Sequence, residues 1–330
     1  MKRHLARNVA AGIAAFATVI AVSACAAEPE QDTELTHIVV AMQPVTPFVN
    51  VPLGVSEGIF EKYGLDVQIR VISEAATIPP AVLADQVQFA AWSYASFTSL
   101  ANSGLPLITV GPGDTAGTDL KTDYTQLITM PDSGVKKTAD LEGKTVATNS
   151  LNSLSHVQTI IALENAGVDV STVTFVPIPY ASQGAALEAG QIDAAQVAEP
   201  FLTKYAEELD AVALDALDAA IMPDLPVSTW FTSQKYAQEN PEIVEAFQRA
   251  LWESSEFAQA NSDAVRAYIP GFSGVEKEIA AKMILPTWVT EVDLATIQSI
   301  ADTMFKFGAI DAEIDMSQYV LASPEREGEG

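Results

Sequence analysis

Asn149, Ser150, Asn152 and Ser153 crowd into one turn, TNSLNSLSH (148–156), between the strand-like GKTVA and the amphipathic VQTIIALENAG. Hydroxyls and amides at this density supply orientable donors and acceptors without a fixed charge. A helix N-terminus behind them adds N–H groups and a partial positive charge, suited to an anionic or electron-rich ligand group. Ser155 and Gln158 fit the S-x-x-Q capping box of a helix over 156–166, so part of the turn is accounted for by capping alone. The other four polar residues exceed what a cap uses and are candidate ligand contacts.

Further strand-end loops carry comparable chemistry. QPVTPF (43–48) is stiffened by two prolines and brings Gln43 and Phe48. AWSYAS brings Trp92 and Tyr94, as aromatic walls or as core, with Ser93 as a hydroxyl donor. AEP places Glu199 at a strand end. There it either caps the next helix, with Pro200 at the first helical position, or accepts from a ligand N–H or cation. Tyr180 and Trp230 fall near the edges of the same region. Residues 43–50, 91–98, 148–156, 179–184 and 198–201 contain neither Lys nor Arg. Sulfonate and phosphate sites ordinarily recruit those side chains. The expected ligand is therefore neutral or cationic, a flat nitrogenous ring stacked on Trp92 or Tyr94. GPGDTAG (111–117) lacks the Lys-Ser/Thr of a phosphate-binding loop and reads as a loop or hinge.

These loops need a scaffold, and the chain alternates short apolar strands with helical stretches. THIVVAM (36–42) is a continuous apolar strand, and LDVQIRVI alternates like a half-buried one. VPLGVSEGIFEKYG is a helix stopped by Gly64, and NPEIVEAFQRALWESSEFAQA is a helix with Asn240 as N-cap and Pro241 at its first position. ADQVQFA (84–90) matches AGQIDAA (189–195) at an offset of 105, each after an apolar helical run and before a polar loop. This predicts corresponding elements in two related Rossmann-like α/β lobes, with the ligand beyond the strands' carboxyl ends. YTQLITMPDSGV (124–135) and VSTWFTSQKYAQENP (227–241) read as the two hinge crossings. The expected lobes are 36–130 plus 232–322, and 131–231.

Composition narrows the setting. Lys2, Arg3 and Arg7 precede an apolar run over 9–22 and then VSAC, which ends at Cys25. The run is short for a membrane span and fits a signal h-region over residues 1–24. Either Cys25 is lipidated at a lipobox and followed by a polar tether over 25–35, or a plain secretory signal is cut near SACAA. Cys25 is the only cysteine, so disulfides, cysteine–metal sites and cysteine nucleophiles are excluded from the folded part. Without residues 1–24 the chain has 14 basic against 43 acidic residues, a net charge of −29, which disfavours nucleic acid and anionic lipid surfaces. His37 and His156 are its only histidines, and no Ser–His–Asp or metal-ligand spacing is present. No cofactor, metal or catalytic residue is expected. SPEREGEG reads as a charged, disordered end over 323–330.

GVSEGIFEKYGLDVQI, LADQVQFA, GVKKTADLEGKTVATN, LENAGVDVSTVTFVPI, ALEAGQIDAAQVAEP and SQKYAQENPEIVEAF occur in that order. In this the chain resembles the solute-binding lipoproteins of ABC importers in the nitrate/sulfonate/taurine and thiamine-pyrimidine (NMT1/THI5-like, SsuA-like) group. The resemblance spans roughly residues 36–260. It implies a type II periplasmic-binding-protein fold and ligand contacts in the 148–156 loop. It also implies an extracytoplasmic, lipid-anchored monomer that hands a small molecule to a permease with its ATPase. Two other readings share the scaffold: a surface sensor that reports its ligand to a membrane partner, and a pyrimidine-forming enzyme. The enzyme reading lacks the Cys-rich motif and the histidines that such relatives use.

Overall fold

The computed structural model describes residues 35–151 and 153–325. Its first sheet is built from β1 (Thr36–Met42), β2 (Leu65–Val71), β3 (Phe89–Ser93) and β4 (Leu107–Pro112). A two-residue strand, β5 (Asp114–Thr115), follows. The second sheet holds β6 (Thr125–Thr129), β7 (Thr145–Thr148), β8 (Thr174–Pro177), β9 (Ala194–Ala198) and β10 (Val212–Ala216). The chain then returns through β11 (Ser228–Ser233), and β12 (Thr287–Trp288) pairs with β5.

The two large sheets have one topology. Their strand orders are β2-β1-β3-β11-β4 and β8-β7-β9-β6-β10. In each, four of the five strands run in one direction, and the strand fourth in order, β11 or β6, runs antiparallel to both its neighbours. The repeat at offset 105 reflects this match: β3 begins at Phe89 and β9 at Ala194. The turns before them hold Asp85 and Gly190 at φ of 56° and 64°, the same offset apart in the same left-handed conformation. The expected pair of Rossmann-like α/β lobes is thus present.

Both sheets are buried on both faces, as parallel sheets covered by helices must be. Alternation in β1 sends Ile38, Val40 and Met42 into one core and Val39 and Ala41 into the other. In the second sheet Leu127, Val146 and Ala194 face one core, and Ile128, Ala147 and Ala195 the other. The helix Pro241–Ala260 starts as predicted at Asn240 and buries Val244, Phe247, Ala250 and Leu251 beneath the first sheet. No helix among the described residues is long and apolar enough to cross a membrane.

Where the chain changes sheet differs from expectation at both points. Residues 125–129 were placed in the first lobe, yet β6 sits between β9 and β10. Residues 228–231 were placed in the second, yet β11 sits between β3 and β4. Every residue of both strands is buried, so each is an interior strand and not a connector. The crossings are instead the segments 116–124 and 217–227. They lie side by side: Ala116 N donates to Leu225 O at 2.9 Å, and the Asp123 carboxylate accepts from the N–H groups of Asp218 and Ala219 at 2.9 and 3.0 Å. Residues 1–34 and 326–330, including the expected signal, Cys25 and much of the tail, lie outside the described residues.

Candidate functional site

A cavity of about 610 Å³ opens between the carboxyl ends of the two sheets, within the size range of small-molecule sites. From the first sheet come the loop after β1, with Gln43 and Phe48, and the end of β3, with Trp92 and Ser93. The loop after β7 supplies Asn149, Ser150 and Ser153, and the helix Tyr180–Glu188 supplies Tyr180. Eight of the predicted site residues therefore meet at one cavity. The loops after β1 and β7 occupy the same place in the matched topologies, so the cavity is walled by equivalent loops of the two sheets. Asn152 lies outside the described residues.

Three predicted contacts are elsewhere. Trp230 is fully buried and packs edge-on to Phe48, with ring centroids 6.1 Å apart. Alternation along β11 turns Trp230 toward the core under the first sheet. Tyr94 opens the helix Tyr94–Asn102 but is 2% exposed and packs in the opposite core. Glu199 is fully buried and turned to the next helix, whose cap position is Pro200 itself, so that Pro200 is not at the first helical position as expected. The Glu199 carboxylate accepts from Thr203 N at 3.1 Å and Thr203 Oγ1 at 2.6 Å, at the start of the helix Phe201–Leu209, and from Ile284 N at 2.9 Å. Burial raises its pKa.

The polar turn also differs in detail. The helix begins at Leu154 with Ser153 at its cap position, two residues earlier than expected, and Ser153 makes no side-chain cap bond. Ser153 Oγ instead donates to Ser150 O at 2.7 Å and lies 2.8 Å from Ser155 Oγ. Gln158 forms no capping box: its Nε2 donates to Asp218 Oδ1. Both Ser155 and Gln158 line the cavity.

Sequence reasoning missed Tyr124, Thr125, Gln196 and Ser228, all on the cavity wall. β6 and β11 run antiparallel, so their amino ends lie beside the carboxyl ends of their neighbours. Ser228 pairs with Ser93, and Thr125 with Ala198. An interior assignment for these two strands would have pointed to both positions.

None of the described lining residues is Lys, Arg or His; Glu74 is the one acid among them. His156 sits against Phe175 with centroids 4.6 Å apart, and burial lowers its pKa, which disfavours the imidazolium. Three buried aspartates stand behind the wall: Asp114, Asp123 and Asp218. Burial pushes Asp114 up to about 6 against the hydrogen bonds from Ser228 and Tyr124. Asp123 and Asp218 are both raised, by burial first, with Asp218 raised further by the charge on Asp123. Two carboxyls so placed titrate as a pair, the first proton being held well above the usual carboxylate range. The cavity thus has hydrogen-bonding walls, an aromatic side at Trp92 and Tyr180, and acid behind it.

Residues 46–265 match the family model described as NMT1/THI5 like. A search of curated proteins finds no match. Among solved structures, the periplasmic aliphatic sulphonate binding protein SsuA from Escherichia coli is similar at a TM-score of 0.70 and 17% identity, over 86% of this chain and 97% of that one. The alkanesulfonate-binding protein SsuA from Xanthomonas axonopodis pv. citri, bound to MOPS, gives 0.71 and 16%, over 87% and 99%. The periplasmic nitrate-binding protein NrtA from Synechocystis PCC 6803 gives 0.71 and 15%, over 86% and 84%. At these identities the likeness is one of fold, and the fold is that of periplasmic binding proteins.

Proposed function

The chain belongs to the NMT1/THI5-like family, and on that premise we propose that it is the extracytoplasmic solute-binding protein of an ABC importer. It takes a small molecule between its two lobes and delivers it to a permease with its ATPase. The observation that carries this reading is the cavity itself, which is walled by equivalent strand-end loops of both sheets. A ligand touching both lobes favours their closed arrangement, and that differential contact gives a permease something to read. The protein acts as a monomer, tethered outside the cytoplasm through lipid on Cys25, and catalyses nothing.

The ligand we favour is a neutral or cationic nitrogenous ring of the thiamine-pyrimidine type over a sulfonate, taurine or nitrate. The absence of Lys, Arg and His from the described lining supports this, as do the three buried aspartates behind it. Trp92 and Tyr180 offer aromatic faces to a flat ring. Native mass spectrometry of freshly purified protein tests capture directly: a co-purifying small molecule is expected. Calorimetry then tests the class. Tight binding of taurine, an alkanesulfonate or nitrate, with no heat from pyrimidines, would overturn the ligand assignment and leave capture standing.

A further inference from the structure

Two residues of the cavity lining, Tyr124 and Ser228, are 1% and 2% exposed and carry hydroxyls whose protons are already committed. Tyr124 stands just before β6, and Ser228 is the first residue of β11. The Tyr124 hydroxyl donates to Asp114 Oδ2, and the Ser228 hydroxyl to Asp114 Oδ1. Asp114 is fully buried, so these two hydroxyls are its side-chain donors in a place water does not reach. An ionised carboxylate only accepts, and a hydroxyl has one proton to give. Each oxygen therefore has only lone pairs left for a ligand. Gly113 keeps the arrangement open, since a Cβ there would lie 2.1 Å from Ser228 Oγ.

A separate residue adds to the same side of the balance. Gln196 is 1% exposed and lines the cavity. Its Nε2 donates to the Tyr180 hydroxyl at 3.2 Å, while its buried Oε1 has no hydrogen-bond partner. A buried acceptor left without a donor is costly, and a ligand N–H would satisfy it.

We propose that Tyr124 and Ser228, held by Asp114, form an acceptor wall that selects ligands presenting two N–H donors along one edge, such as an amidinium or a guanidinium. This rests on the capture reading above and assigns the groups that read the ligand. The wall refuses carboxylate and sulfonate edges, because two acceptors would then face two acceptors with no proton between them. Asp114 touches no ligand and acts through the two hydroxyls as a positioning residue.

The test is calorimetry with ring-matched probes: benzamidine, phenylguanidine, benzoate and benzenesulfonate. They are titrated into the wild type and into Tyr124→Phe, Ser228→Ala and Asp114→Asn, each shown to be folded by its thermal melt. At least one of the two donor probes should bind the wild type, and the two hydroxyl deletions should each weaken it about ten-fold, the worth of one good hydrogen bond. In Asp114→Asn the new amide donates to one hydroxyl and turns that hydroxyl's proton toward the cavity. Donor probes should weaken there and benzoate should gain affinity, a change that loss of folding cannot produce. Unchanged donor-probe affinity across all three variants overturns the wall and leaves the capture reading intact. So does failure of both donor probes to bind the wild type. Tighter binding of benzenesulfonate than of either donor probe overturns the wall and the nitrogenous-ligand assignment together.

Discussion

Ser155 and Gln158 read locally as two halves of a capping box, and the fold uses both differently. Gln158 reaches Asp218, 60 residues further on, and that partner is supplied by the return crossing. No local pattern encodes it. The polar turn itself was legible, because Asn149, Ser150 and Ser153 are more polar than a turn requires and the structure sends them to the cavity. Aromatic identity said less: Trp92 and Trp230 both sit near strand ends, and only strand phase separates wall from core. Asp114 carries a consequence for pH. Burial raises it from an ordinary 3.8 to about 6, so over that interval the folded chain holds a proton that the unfolded chain has lost. Its contribution to stability is greatest below the lower value and declines as pH rises toward the upper one. Asp114→Asn removes this titration. Between about pH 4 and 7 the melting temperature of the wild type should fall further than that of the variant. Scanning calorimetry showing equal falls would refute the assignment, since the general acidity of the chain is common to both.

At the scale of elements, β6 and β11 explain why the lobe boundaries were misplaced. A short apolar run followed by a turn has the same signature whether it is a connector or an interior strand, because strand pairing is non-local. The offset-105 repeat was legible for the opposite reason. It spans a helix end, a left-handed turn and a buried strand start, and all three leave local marks on the sequence. Helix packing in the second lobe supplies a test. Gly184, within the helix Tyr180–Glu188, lies against Tyr205, and an added Cβ would come within 2.4 Å of its ring. Tyr205 is 4% exposed and donates its hydroxyl proton to Tyr180 O, so the ring has little freedom to retreat. Gly184→Ala should destabilise the fold by about 1–3 kcal/mol through overpacking. It should also displace Tyr180 from the cavity. Urea unfolding checks the first effect, and a stability matching wild type would count against the close packing.

For the whole molecule, the proposed clamp makes the paired crossings the place about which one lobe would turn against the other. Contacts also join the second lobe to the C-terminal part of the chain: Glu199 with Ile284 N, and Glu207 with Lys282. Ligand closure about the crossings should reduce the radius of gyration, which small-angle scattering measures; superimposable profiles with and without saturating ligand would contradict the clamp. The placement of the four tryptophans has a practical consequence. Trp230, Trp252 and Trp288 are buried in the cores, while Trp92 borders the cavity. The protein therefore contains its own optical gauge of occupancy. Ligand arrival should change the intrinsic fluorescence chiefly through one indole, and Trp92→Phe should silence that response. A signal that survives the substitution would place the responding indole in the cores.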